Sequence, residues 1–211
     1  MQTHIPIKNY RRYHAYDYSR GAVEFISFNL NDRRFPVFGT ISPTGSMQLS
    51  RAGEILEKVI LFEADRPSPI ELKRHVVMPE HLHLRVYIHP NQLKPLKVLG
   101  QFISNIKRWS MKKCSEIGVQ FSWQKNYHDR LCLTREIIDR VDKYIELNPI
   151  KWALMHSANP PMKVIEPLYS PLIPNHEWWA GVGNVRLVSG EMPLCAIRLS
   201  RHHSQLDSQE Q

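Results

Sequence analysis

Residues 81–89 read His-Leu-His-Leu-Arg-Val-Tyr-Ile-His, a strict alternation that suits a half-buried β-strand. Leu82, Leu84, Val86 and Ile88 fall on one face, and His81, His83, Arg85, Tyr87 and His89 on the other. The apolar face demands a core beneath it. The opposite face points two imidazoles, two residues apart, in the same direction. Imidazole is a common ligand for divalent metals, and two such groups can share one ion. Two ligands do not complete a site, so further groups must come from elsewhere in the chain.

The surrounding sequence places this strand in a sheet. Ala22–Leu30 is predicted as a first strand, since Val23, Phe25 and Ile26 favour extended backbone. Residues 47–64 are predicted as an amphipathic helix, with Ser46 or Ser50 as N-cap and Leu49, Ala52, Ile55, Leu56, Val59 and Ile60 on one stripe. Arg66-Pro67-Ser68-Pro69 ends it. Ile70–Met78, the short turn Pro79-Glu80 and the strand from His81 to His89 read as a hairpin, with the two histidines near its turn. A second helix is predicted over 95–117, with Leu96, Leu99, Phe102, Ile103 and Ile106 inward. Phe121–Lys125 alternates and is predicted as the fourth strand. A third helix, capped by Thr134, is predicted over 135–147 and stopped by Pro149. Strand, helix, strand, strand, helix, strand is the order of an α+β, ferredoxin-like α/β sandwich with a central antiparallel sheet.

Three segments are expected. Residues 1–20 form a basic aromatic arm, in which Arg11 and Arg12 are interleaved with Tyr10, Tyr13 and Tyr16. Residues 21–155 form the domain. Residues 156–211 form a proline-rich C-terminal extension with Trp178, Trp179 and a Gly181–Asn184 turn, and its last residues are polar and expected to be disordered. The His202-His203 pair in that tail is a weak metal signal.

Charge narrows the function. Lys and Arg number 28 against 20 acidic residues, a formal net charge of +8, which favours a polyanionic partner such as nucleic acid. Basic residues interleaved with aromatics suit unpaired bases and phosphates. On the second helix, Lys107, Arg108, Lys112 and Lys113 are either a solvated face or a phosphate-tracking one. The three cysteines, Cys114, Cys132 and Cys195, are scattered, which suggests neither a disulfide framework nor a thiolate zinc site. No apolar run approaches a membrane span and no signal peptide is visible, so a cytoplasmic protein is expected, nucleoid-associated when bound to DNA.

The third helix carries the second group of interest. Tyr144 and Asn148 lie four apart and share a helix face. If that helix packs beside the histidine face, His81, His83 and Asn148 can hold one Mg²⁺ or Mn²⁺ with positions open for phosphate oxygens. Tyr144 then sits one turn from the third ligand, and tyrosine is an established covalent nucleophile. Tyr127 is a rival. Tyr144 is preferred because helix spacing ties it to Asn148.

At these residues the chain resembles the single-tyrosine, His-hydrophobic-His transposases, and in particular the REP-associated tyrosine transposases. The matching segments are Val76–His83, Trp123–Asp129 and Tyr144–Pro149, and the resemblance covers roughly residues 20–155. It implies cutting of single-stranded DNA beside palindromes that fold as hairpins, through a 5′-phosphotyrosine that leaves a free 3′-OH. It implies Tyr144 as nucleophile, His81 and His83 as metal ligands and Asn148 as third ligand, with a dimer or a monomer as the acting form. The tail around Trp178–Ser200 also resembles an extension of some members. Two further readings are carried. One is a domesticated, non-catalytic hairpin-DNA-binding protein. The other is a metal-dependent phosphodiesterase that uses water, with Tyr144 structural.

Overall fold

The structure is a computed structural model, and it describes residues 16–156. The arm with Arg11 and Arg12, and everything predicted for the extension beyond residue 156, lie outside the described residues. A short 3₁₀ turn at Tyr18–Arg20 leads into strand β1, Ala22–Asn29. A small hairpin follows, β2 (Gly39–Ile41) and β3 (Met47–Leu49), then helix α1, Arg51–Asp65. Strands β4 (Ile70–Val77) and β5 (His81–Ile88) come next. Helix α2 (Pro95–Ser115), strand β6 (His128–Leu131) and helix α3 (Arg135–Met155) complete the described residues.

The main sheet has the order β4-β5-β1-β6 with every neighbour antiparallel. With α1 and α2 as the two crossovers this is the expected ferredoxin-like sandwich. The alternation of β5 decides its two sides. Leu82, Leu84, Val86 and Ile88 are fully buried in one core with Leu56 and Ile60 of α1 and Leu99, Ile103 and Ile106 of α2. The other side of the sheet is covered by α3, where Val141, Tyr144 and Ile145 meet Val23 and Phe25 of β1 and Val76 of β4. The histidine face is therefore a buried layer beneath α3. Among the described residues no helix is long and apolar enough to cross a membrane.

Three predicted boundaries are corrected. Residues 47–49 are strand β3, paired with β2 through Gly39↔Leu49 and Ile41↔Met47, and not the first turn of α1. The cause is Ser50, whose hydroxyl accepts from the Gly53 amide at 3.1 Å and fixes the helix start at Arg51. Gly53 is required there: a Cβ would lie 2.0 Å from the Phe38 carbonyl oxygen. The fourth strand is His128–Leu131, in register with Glu24–Ser27, and not Phe121–Lys125. Trp123 makes a lone bridge to Leu30 and is buried against Phe28 and Phe38, so the alternation at 121–125 reflects aromatic packing. Finally, α3 does not stop at Pro149 but runs through it to Met155. Pro149 removes one helical hydrogen bond. Burial of Asn148, Pro149 and Ala153 against the fold offsets that loss.

Candidate active site

The site begins at the turn that launches β5. The Met78 amide donates to the His81 carbonyl, the Leu30 amide to that of Glu80 and the Phe38 amide to that of Pro79, at 2.9, 2.9 and 3.0 Å. These three bonds hold the turn between the end of β1 and the loop before β2. His81 and His83 follow on one face of β5, opposite Asn29 and Ser27 of β1. Both are buried, at 8% and 2% exposure.

The two imidazoles converge. Their Nε2 atoms are 3.1 Å apart. His81 Nδ1 lies 3.1 Å from Glu80 Oε1, and an ionised carboxylate only accepts, so the Nδ1–H donates to it. In the neutral form of His81 that leaves the Nε2 lone pair facing His83. Burial, followed by the charges of His81, Lys151 and Arg33, holds His83 well below the usual imidazole range, so its ring stays neutral. Glu80 is itself oriented by Arg33 at 3.2 Å. Burial raises its proton affinity, but the His81 hydrogen bond and the charges of His81 and Arg33 outweigh that, and the carboxyl titrates below its ordinary range.

Helix α3 is fixed over this face by an ion pair. The Arg85 guanidinium, next after the histidines on the same side of β5, donates from Nε and Nη2 to both oxygens of Asp142 at 2.5 and 2.9 Å. Arg74 approaches the same carboxylate at 3.8 Å. Two residues on, the Tyr144 ring packs edge-on to His83 with centroids 5.2 Å apart and to Phe25 at 5.7 Å. Phe25 stacks on His83 at 5.4 Å. Asn148, one turn further along α3, is buried. The next turn brings Lys151, whose Nζ lies 5.6 Å from the Tyr144 ring centroid. Burial lowers its pKa to about 8.

The two imidazoles fit the divalent metal expected from the sequence. Two metal–nitrogen bonds of about 2.1 Å meeting near a right angle span roughly 3 Å, which the paired Nε2 atoms match. A carboxylate on the remote nitrogen of a ligating histidine is the usual outer support of such a ligand, and Glu80 supplies it to His81. No group of three or more His, Cys, Asp or Glu is assembled for a metal among the described residues. Among the described residues a third protein ligand would be of another type, and Asn148 offers an amide oxygen on α3.

The sequence-predicted residues separate by layer. His81, His83 and Tyr144 come together, with Asn148 on the same helix. Tyr127 does not join them. It packs with the α1/α2 core and lines a cleft with Leu96, Gly100, Ile103, Lys107 and Lys125, on the opposite side of the sheet. Lys107, Arg108, Lys112 and Lys113 also belong to that side. Lys107 is spent on the fold: it donates to the carbonyls of Gln124 and Asn126 at 2.8 and 2.9 Å and lies over the Phe28 ring, and burial lowers its pKa to about 8. Arg108 and Lys112 flank the Trp109 ring, and Lys113 pairs with Glu116. Sequence reasoning missed three contributors. Arg85 was legible as the next residue on the histidine face, and Lys151 as the next turn after Tyr144 and Asn148. Arg33 carries no periodic signal.

No family model matches the chain, and no curated protein matches it. Among solved structures the chain is similar to a REP-associated tyrosine transposase bound to a REP hairpin. The two share 22% identity over 69% of this chain and 74% of that one, with a TM-score of 0.50. It is also similar to a protein of Deinococcus radiodurans R1 described as a "putative transposase", at 17% identity over 64% of this chain and 95% of that one, with a TM-score of 0.37. The first likeness covers 69% of the chain, and the chain has the fold of that transposase.

Proposed function

We propose that this chain, folded as a REP-associated tyrosine transposase is, cuts and rejoins single-stranded DNA beside palindromic hairpins through a covalent bond to Tyr144. The observation that carries the reading is the contact of the Tyr144 ring with His83, 5.2 Å between centroids, beside two imidazole nitrogens 3.1 Å apart. The hairpin-bound relative supports hairpin DNA as the substrate class. The net charge of +8 agrees with a polyanionic partner.

In this reading His81 and His83, with Asn148 as third ligand, would hold one Mg²⁺ or Mn²⁺. When bound, such an ion polarises the phosphoryl group and offsets charge as the phosphorus becomes five-coordinate. Glu80 keeps His81 in the tautomer whose Nε2 is a lone pair. Burial keeps His83 neutral and hence available as a ligand. The Tyr144 oxygen attacks phosphorus and loses its proton. The bond from phosphorus to the 3′ oxygen breaks, and that oxygen takes up a proton. The products are a 5′-phosphotyrosine ester and a free 3′-OH, and the ester conserves the bond energy for rejoining. Phe25 and the Arg85–Asp142 pair hold the phenol against the histidines. Arg108, Lys112 and Lys113 on the exposed side of α2 would offer a separate surface for backbone phosphates, whereas Lys107 is spent on the fold.

The test uses labelled single strands that carry the palindromic repeats flanking the gene. They are incubated with protein and Mn²⁺ or Mg²⁺ and run on a denaturing gel. An adduct formed by wild type and by Tyr144→Phe abolished, with Tyr127→Phe unaffected, is the expected result. Cleavage without an adduct would turn the reading to a water-using phosphodiesterase. Binding with neither cleavage nor adduct would turn it to a hairpin-binding protein.

A further inference from the structure

The contacts around His83 form one continuous chain with a cation at each end. Lys151 Nζ lies 5.6 Å from the Tyr144 ring. That ring is 5.2 Å from His83. His83 is 3.1 Å from His81, His81 is 3.1 Å from Glu80, and Glu80 is 3.2 Å from Arg33. Lys151 and Arg33 thus bracket the two imidazoles and the phenol, one from α3 and the other from the loop before β2. Neither is a metal ligand or the nucleophile.

Glu80, within this chain of contacts, is shared by Arg33 and His81. A partly buried ammonium costs desolvation energy, which is visible in the lowered proton affinity of Lys151. A half-buried cation two contacts from the histidine pair adds positive potential there, and a divalent cation held by those histidines would add more. An anion entering the site relieves both. Guanidinium and ammonium groups are suited to phosphate oxygens, the first as a planar fork and the second as a point charge. Arg33 remains accessible, with 52% of its side chain exposed, so a strand can reach it from the surface.

We propose that Lys151 and Arg33 form a phosphodiester-binding subsite across the histidine pair. Lys151 takes a non-bridging oxygen of the phosphate attacked by Tyr144, and Arg33 takes a neighbouring phosphate of the same single strand. This assignment deepens the strand-transfer reading and rests on it for the identity of the attacked phosphate. The binding role of the two cations can be tested without that reading.

Two readouts separate them. The first is affinity for a fluorescein-labelled single strand that contains the flanking palindrome and its unpaired extensions, measured by anisotropy across a salt series. Each phosphate contact removed lowers the slope of log K against log salt by about 0.7 for single strands. Lys151→Met and Arg33→Gln are each expected to lose that amount, while Lys151→Arg and Arg33→Lys keep the wild-type slope. The second readout is the single-turnover rate of adduct formation. Lys151→Met is expected to lower it by about a hundredfold, with Lys151→Arg restoring most of the rate. Slopes unchanged in both neutral variants overturn the proposal. So does an equal loss in Lys151→Arg and Lys151→Met, since packing alone would then explain it. Should Lys151→Met fail to fold, the exposed Arg33→Gln still decides the slope test. Lowered slopes with no adduct from any protein would leave the subsite standing and sink the strand-transfer reading. A wild-type adduct with unchanged slopes would do the reverse.

Discussion

Docking of α3 onto the histidine face depends on Arg85 and Asp142, and cutting that pair should be felt in both stability and chemistry. The guanidinium is 12% exposed and the carboxylate 23%. Breaking a fully buried pair by removing one partner costs about 3–5 kcal/mol, because the other charge stays buried. Partial exposure of Asp142 puts the expected cost of Asp142→Leu at the low end, about 3 kcal/mol. That is a factor of roughly 150 in the folding equilibrium, or about 6–12 °C in Tm for a chain of this size. Arg85→Leu should cost less, because Arg74 stands 3.8 Å from Asp142 and remains as a partner. The double Leu variant should cost less than the sum, since no buried charge is left behind. Urea titrations of the four proteins, followed by circular dichroism, give the coupling energy. The single variants should also lose adduct formation under conditions where they remain folded, because Tyr144 lies two residues from the pair. A stability loss below about 0.5 kcal/mol in Asp142→Leu, with coupling near zero, would refute the claim that this pair seats the helix.

Glu80→Gln keeps the size of the side chain but removes the carboxylate from His81 Nδ1; Mn²⁺ affinity by titration calorimetry should fall about 10–100-fold, and an unchanged affinity would remove Glu80 from the site. Gly45→Ala places a Cβ 2.6 Å from Ile150 Cγ1 and 2.7 Å from its Cα, at a φ of +81°. It should therefore cost about 2–4 kcal/mol by combining overpacking with left-handed strain, measured as a shift in urea midpoint. Lys107 has a folded pKa of about 8 against an ordinary 10.5. The unfolded chain binds more protons between those values, so wild-type stability should gain from Lys107 as pH rises through that window. Lys107→Met should lack that gain, and parallel wild-type and variant urea midpoints across the window would refute it.

Local pattern carried most of the framework. The alternation at 81–88 placed both imidazoles on one side and four aliphatic residues on the other, because a strand has a period of two and water rejects the apolar set. The 3.6-residue stripes of α1 and α2, and the Tyr144 and Asn148 pair on α3, were legible for the same kind of reason. Which residues close the sheet was not. Phe121 to Lys125 alternates more clearly than His128–Leu131, yet the free edge of β1 takes the latter, while Trp123 finds a better partner in Phe38. Pro149 gave a correct local rule that tertiary burial overrode.

The sequence alone thus determined β1, β4, β5, α1 and α2 with their apolar faces, the placing of the two histidines on one side of β5 and the spacing of Tyr144 and Asn148, since all of these follow from the geometry of single strands and helices. Only the tertiary structure decided that α3 lies over the histidine face and not beside it. Only the tertiary structure put Tyr144 against His83 and left Tyr127 on the other side of the sheet, and brought Arg33 to Glu80 across 47 residues of sequence. Those outcomes rest on an ion pair and on packing between distant segments, and neither has a period that a sequence can display.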